Sequence, residues 1–224
     1  MIDSTDSHLR LTREVWNGMH LDDWGDGKEP EQRILDLCES NREKILDLGC
    51  GDGRHLIPLV QKGLEVVGLD ISPEALIILK RKLNELGLDA DLYCGTSHEL
   101  PFNDNEFGTV ISIGVIHHNL WKDIVKTMKE IRRVIIDGGQ VALKVRSTND
   151  TSQPRVQIDD FGYTAKDTAG KKEGVVQHYF TKEEIEFLAE NNGFDIVHGP
   201  TEKQYECKDS ESIKARWDVI LRAK

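Results

Sequence analysis

Between Lys44 and Val145 the apolar positions alternate between two patterns, short β-rich runs and longer stretches at helical spacing. This alternation predicts a parallel sheet covered by helices. The runs place strands at Ile45–Leu48, Glu65–Leu69, Ala90–Cys94, Thr109–Ile113 and Gln140–Val145. Between them Leu76, Leu79, Leu83 and Leu86 recur at i, i+3, i+7 and i+10, and Trp121, Ile124, Val125, Met128, Ile131 and Val134 form a second helical stripe. Ser72-Pro73 supplies an N-cap and a proline at the first helical position, and Gly87 stops that helix.

The two ends differ in kind. Residues 4 to about 40 have helical periodicity interrupted at Asn17-Gly18 and at Gly25-Asp26-Gly27, which predicts two helices joined by a loop carrying Trp16, His20 and Trp24. From Ser147 to Gln177 the chain is polar, with little periodicity, and longer than an ordinary connection, so this stretch reads as a functional lid or as disorder. Thr181-Lys182-Glu183-Glu184 is a capping box opening a helix to Asn192, Gly193 ends it, and strands follow at Phe194–Val197 and Ala215–Leu221. With no repeat, low-complexity tract or linker, the expectation is one domain over 1–224. Within it, 1–40 is an N-terminal helical lid, 41–146 a cofactor-binding core, 147–180 a substrate-side insert and 181–224 a C-terminal helix with strands.

Composition narrows the classes. Apolar residues at 38% and charged residues at 31% over 224 positions exclude a fibrous or wholly disordered chain. The balance of 29 basic against 40 acidic residues argues against gripping nucleic acid by bulk charge, because phosphate binding runs on clustered cations. A local basic patch stays open, and Lys166, Lys171 and Lys172 in the insert form one. The four cysteines lack a CxxC pair and suit reduced thiols in the cytoplasm. Met1 to Asp6 is acidic and polar, and the longest apolar stretch, near Val110 to Ile116, is a strand's length, so neither a signal peptide nor a membrane span is expected.

The densest chemistry lies at Asp47-Leu48-Gly49-Cys50-Gly51-Asp52-Gly53, between the first strand and a helix. Glycines there permit a sharp turn and the close approach of a ligand, and the free N–H groups of the next helix face the same spot. Asp70, twenty-three residues after Asp47 and at the end of the second strand, is placed to accept hydrogen bonds from ribose hydroxyls. Together they describe a nucleoside pocket. A dinucleotide fingerprint counted from Gly49 and Gly51 needs its third glycine at Arg54, whereas the glycine here is Gly53. An acid at Asp47 repels a pyrophosphate and suits an amino group or a sulfonium. The plain alternative, for the glycines alone, is a tight strand-to-helix connection.

From about Glu31 onward the chain resembles the class I S-adenosylmethionine-dependent methyltransferases. Ile45 to Gly53 is similar to that family's first motif, Val66 to Ser72 to its second, Gly95 to Phe102 to its third, and Phe107 to His118 to its fourth. Asp137-Gly138-Gly139 is similar to its Gly-Gly turn before strand five, and His178-Tyr179-Phe180-Thr181 to a frequent late feature. The latter segment and the Arg146-Ser147 exit also resemble the tellurite-resistance-type small methyltransferases. Two positions depart from the pattern: Thr96 stands where an acid is usual before Ser97, and Gly108 replaces the acid after Phe107. The resemblance implies an α/β, Rossmann-like seven-stranded mostly parallel sheet with helices on both faces and one antiparallel strand near an edge, here Ala215–Leu221. It implies S-adenosyl-L-methionine as cofactor and S-adenosyl-L-homocysteine as product. Asp47 and the backbone of Gly49, Gly51 and Gly53 then hold the methionine part, Asp70 the ribose, Ile71 a face of the adenine, Thr96 and Ser97 its edge, and Ile113 gives a backbone contact.

Methyl transfer from a sulfonium is an in-line displacement needing alignment and exclusion of water, and a base only if the acceptor must lose a proton. The candidate bases are His118, just beyond strand four, and His178, at the end of the insert, while His117 is a weaker candidate for contact with cofactor or acceptor. Trp16, Trp24 and Tyr179 are lid or substrate candidates, each also readable as core packing. No metal site is expected. The leading expectation is a small-molecule methyl acceptor; an RNA or protein acceptor, or a noncatalytic cofactor-binding protein, are the alternatives, with a nicotinamide dehydrogenase further off. Acceptor identity and oligomeric state carry no readable signal.

Overall fold

Ile45–Leu48 is apolar but for Asp47 and is buried along its whole length, as a strand must be when neighbours flank it and helices cover both faces. In the computed structural model, which describes residues 7–21, 29–158, 164–207 and 211–224, this segment is β1 at the centre of a seven-stranded sheet. The other strands of that sheet are β2 (Val66–Asp70), β3 (Asp91–Cys94), β4 (Phe107–Ile113), β5 (Ile135–Arg146), β9 (Phe194–Glu206) and β10 (Ile213–Ala223), in the order β3-β2-β1-β4-β5-β10-β9. All pairs from β3 to β5 are parallel, and β10 runs antiparallel to both its neighbours, the one reversed strand that was expected. The chain leaves β1 toward β2 and β3 and returns on its other side as β4, so the topological switch lies between β1 and β4, where open α/β sheets bind ligands.

Alternation along β1 sorts its side chains between two cores. Leu46 and Leu48 join Phe107, Val110 and the stripe Ile124, Met128, Ile131 and Val134 of α5 (Trp121–Val134), with Ile185 and Leu188 of α6 (Lys182–Asn191). Ile45 joins Ile34, Leu35 and Cys38 of α2 (Gln32–Asn41), Leu56 and Leu59 of α3 (Leu56–Gln61), and Leu76, Leu79 and Leu83 of α4 (Pro73–Glu85). At about 25 cal/mol per Å² of apolar surface removed from water, two such cores are the main stabilising contribution. Local signals agree with the packing: Ser72 Oγ accepts the Ala75 N–H at 3.1 Å to cap α4, and Pro73 opens that helix.

Three expectations are corrected. The first helix, α1 (Ser7–Leu21), runs unbroken through Asn17-Gly18, so Trp16 and His20 lie on a helix and not on a loop; Trp24 lies outside the described residues. A glycine costs about 1 kcal/mol within a helix, and tertiary ties offset it: Asn17 Oδ1 accepts the Ser72 hydroxyl at 2.7 Å, and Arg13 Nε donates to the Ile71 carbonyl at 3.0 Å. The insert is neither a plain loop nor patternless. It holds a three-stranded antiparallel sheet of β6 (Arg155–Gln157), β7 (Thr164–Asp167) and β8 (Val176–His178), joined to the main sheet through the Ser147–Phe180 bridge. Strands of three or four residues are too short to show a period. Finally, the Gly-Gly turn expected before strand five lies inside β5, which begins directly after α5; Gly138, at φ +77°, bends the strand there, and its pairing with β4 shifts between Phe107 and Thr109.

The capping box gives a local test of this fold. Thr181 N–H donates to Glu184 Oε2 at 2.9 Å and Glu184 N–H to Thr181 Oγ1 at 3.2 Å. Thr181→Ala is expected to lower stability by about 1 kcal/mol, read from urea unfolding midpoints; an unchanged midpoint contradicts the role.

Candidate active site

A cavity of about 430 Å³ opens where β1, β2, β4 and β5 end, a volume typical of small-molecule sites. Its floor comes from the turn after β1. Gly49 has φ +75° and a Cβ there meets Val115 Cγ2 at 2.2 Å; Gly51 has φ +54° and a Cβ there points at the His20 ring, 3.4 Å away. Both line the cavity together with Asp70, Ile71, Thr96, Ser97 and Ile113. Thus seven of the residues expected to hold a cofactor are brought to one surface.

Asp70 is the organising group. Its Oδ2 accepts the Gly51 N–H and its Oδ1 the Ser72 N–H, each at 2.8 Å, so one carboxylate fixes both the glycine turn and the start of α4. Burial raises its pKa, opposed by those two N–H groups and by the nearby His20. Asp70 is only 9% exposed, and it lines the cavity. Ser97 Oγ lies 3.0 Å from Thr127 Oγ1, which sets its direction in the wall.

Two of the expected residues stand behind this surface. Gly53, at φ +100°, does not line the cavity; a Cβ there meets Leu79 and Ile57 at under 3 Å, so it serves the packing of α3 on α4. Asp47 is likewise absent from the lining. Alternation along β1 turns it to the α2–α3 face, where Leu56 N–H and the Arg54 charge act on it and Oδ2 has no hydrogen-bond partner. Burial pushes its pKa up to about 7, against the pull of Arg54.

The roof is α1. Leu9, Thr12, Trp16 and His20, at i, i+3, i+7 and i+11, present one helical face to the cavity. The Trp16 ring stands edge-on to His118 at 5.0 Å between centroids. His118 and His117 both line the cavity, their rings 4.2 Å apart, each with a buried Nδ1 lacking a partner. Burial, then the charges of Lys172, Arg146 and Arg216, hold His118 well below the usual histidine range, so it stands neutral and its protonated form is disfavoured. His178 and Tyr179 are not brought to the cavity. His178 packs between Trp121 and Phe180 with Nδ1 2.9 Å from Thr164 Oγ1, and Tyr179 lies fully buried beneath Arg155. The strand β8 and the turn after it point inward to the core, which is why proximity in sequence to the insert misplaced them.

Of the far wall only Lys172 belonged to a cluster singled out in the sequence. Lys144 and Arg146 at the end of β5, Arg216 and Lys214 on β10, and Lys172 of the insert all line the cavity, joined by Tyr205. Lys144 and Arg146, two residues apart after the apolar run Val141–Leu143 of β5, were the available signal. Among the described residues, no group of three or more His, Cys, Asp or Glu could hold a metal ion, and no helix is long and apolar enough to cross a membrane.

This geometry fits the nucleoside end of an S-adenosyl cofactor: a carboxylate at the end of β2, a turn whose glycines leave room at the floor, and small polar groups at Thr96 and Ser97. Comparison with known proteins agrees. Residues 45–139 match the family model of the methyltransferase domain. Relatives include an uncharacterized methyltransferase of Mycobacterium tuberculosis, 33% identical over 121 residues, or 54% of this chain and 46% of that protein. They also include the demethylmenaquinone methyltransferase of Bacillus subtilis, 34% identical over 133 residues, or 58% of this chain and 53% of that protein. A crystal structure titled as a SAM-dependent methyltransferase of Methanosarcina mazei superposes with a TM-score of 0.71 at 22% identity, covering 88% of this chain and 99% of that one. The family match covers less than half of the chain, which shares the Rossmann-like fold of that solved structure. The chain spans about half the length of the curated relatives it matches.

The buried Asp47 gives this site a pH signature. Its folded pKa, about 7, lies above its value near 4 in an unfolded chain, so its proton favours the folded state below pH 4 and that contribution is lost as pH rises to 7. His55, pushed down to about 4 by burial and Arg54, acts in the opposite direction but is common to wild type and variant. Relative to Asp47→Asn, the wild type is expected to lose on the order of 1 to 3 kcal/mol between pH 4 and pH 8, measured by urea unfolding at several pH values; parallel stability curves contradict it.

Proposed function

We propose that this chain is an S-adenosylmethionine-dependent methyltransferase acting on a small-molecule acceptor, with S-adenosylhomocysteine as product. The observation that carries the reading is the pairing of Asp70 with the Gly49–Gly51 turn in the wall of one roofed cavity. When bound, the cofactor supplies a methyl group on a positively charged sulfur, already activated toward a nucleophile.

The chain's own residues supply the rest. Asp70 accepts hydrogen bonds from the ribose hydroxyls, Ile71 packs on the adenine, Thr96 and Ser97 meet its edge, and the turn at Gly49 and Gly51 lies along the methionine part. Arg13 and Asn17 hold α1 onto the end of β2 and the start of α4, so the roof that excludes water is anchored beside the same carboxylate. Exclusion of water and alignment account for most of the rate in such a displacement. By position His118, in the cavity wall beside Trp16, is the residue that could take a proton from an acceptor that must lose one, although the cations around it make it a weak base; His178, held in the core, is not assigned that role. A small acceptor is supported by the roofed cavity and by the quinone precursor named for the Bacillus subtilis relative. Lys172, from the basic cluster of the insert, faces this cavity with Nζ 4.5 Å from the Trp16 ring centroid, which suits a pocket more than a nucleic-acid track.

Transfer of a tritiated methyl group tests the reading. Label is expected in a small-metabolite extract, and label confined to tRNA or protein contradicts the small acceptor. Asp70→Ala is expected to weaken S-adenosylhomocysteine binding by about 1.5 to 3 kcal/mol in calorimetry, and unchanged affinity removes Asp70 from the site. Gly51→Val is expected to abolish that binding while the circular dichroism of the fold persists; retained affinity contradicts the close approach at the turn.

A further inference from the structure

The wall opposite Asp70 is built of buried guanidinium groups with too few carboxylates to match them. Arg146 and Arg216 have side chains 5% and 15% exposed, and both pair with the single carboxylate of Asp150. That carboxylate is saturated: Oδ1 takes Arg146 Nη1 at 3.3 Å, Ser152 N–H at 2.9 Å and the Ser152 hydroxyl at 2.5 Å, and Oδ2 takes Arg216 Nη1 and the Ala215 N–H at 3.2 Å. A third guanidinium, Arg155, stacks 3.7 Å from the Tyr179 ring centroid and donates to the Asp150 carbonyl. The other acid facing this group is Asp167, buried and bonded to Gln177. Three guanidiniums and the Lys172 ammonium thus face two carboxylates, and Arg146 Nε is buried with no partner.

Burying unmatched cations is costly, and burial draws the pKa of Arg216 down to about 9 and lowers that of Arg146. An anion entering the cavity relieves both costs, and a guanidinium fork is shaped for a carboxylate. A second cation group serves a different place. Lys144 and Arg54 stand against Glu31, at 2.6 and 3.9 Å, near the glycine turn, where the amino-acid end of the cofactor lies in the proposed reading.

Resting on that reading, we infer that the methyl acceptor carries a carboxylate, bound by Arg146 and Arg216 on the wall that holds His118. The planar fork of a guanidinium matches a planar carboxylate better than a tetrahedral phosphate. The acceptor class is therefore a small carboxylic acid whose anionic end anchors it while another atom, or the acid oxygen itself, meets the methyl group.

The test uses the full chain saturated with S-adenosylhomocysteine, titrated calorimetrically with benzoate and benzamide, cinnamate and cinnamamide, succinate and succinamide, and with phenyl phosphate. At least one carboxylate is expected to bind tenfold or more tighter than its amide, and Arg216→Gln is expected to erase that difference while S-adenosylhomocysteine affinity stays within twofold. The inference is overturned if no carboxylate outbinds its amide, if phenyl phosphate outbinds every carboxylate, or if the preference survives in Arg216→Gln. A tenfold loss of S-adenosylhomocysteine affinity in Arg216→Gln also overturns it, by assigning the pair to the cofactor's own carboxylate. Failure of the wild type to bind S-adenosylhomocysteine contradicts the methyltransferase reading instead; the same pairs titrated into the unliganded protein then still decide the carboxylate preference. Should Arg216→Gln fail to fold, the wild-type comparison of acids with amides decides alone.

Discussion

One buried carboxylate ties the architecture to the site. Asp70 ends β2 beside the turn that ends β1, and its two oxygens each hold a backbone N–H, one from that turn and one from the start of α4. A buried carboxylate is tolerable only when hydrogen-bonded, and here the bonds that satisfy it also set the spacing of two strand-to-helix connections. The sheet order supplies the remaining requirement, because β4 leaves β1 on the side opposite β2 and opens the crevice that Asp70 faces.

The roof of that crevice is attached close to the same point. α1 is held to the Ile71 carbonyl and the Ser72 hydroxyl, so the helix carrying Trp16 and His20 is fastened to the segment that follows Asp70. The opposite wall comes from β5, β10 and the insert, with Phe180 bridged to Ser147. The cavity is therefore asymmetric in charge. The side beside β2 is organised by an acid, and its far side by guanidinium groups brought from β5 and β10, within a chain whose formal charge is −11. Net charge reflects the outer surface and says little about an interior wall built from two or three residues.

The legible parts were those where local and tertiary signals coincide. The cores of β1 and β2, Leu76, Leu79 and Leu83 of the α4 stripe and the Thr181 capping box could be read from spacing alone, because each buries the face that its pattern marks, whereas Leu86, the last of the stripe, caps the helix and is exposed. Asp70, Gly49 and Gly51 could be read because motif and turn chemistry demand the same residues. Gly53 and Asp47 belong to the same motif but serve packing and lie behind the floor, a distinction set by strand alternation and the helix it meets. Asn17-Gly18 suggested a break that contacts with Ser72 override. His178 and Tyr179 were assigned to the site by adjacency to the insert, whereas β8 turns them into the core. Arg146 and Arg216 meet only through the β5–β10 pairing, a contact between residues seventy positions apart that no local pattern encodes.

The central claim is that Asp70 and the glycine turn receive a sulfur nucleoside. A crystal structure with S-adenosylhomocysteine tests it most directly. The account predicts the ribose hydroxyls on the Asp70 carboxylate, with the homocysteine portion over Gly49 and Gly51; density for the nucleoside elsewhere, or a diphosphate preferred at the turn, contradicts it.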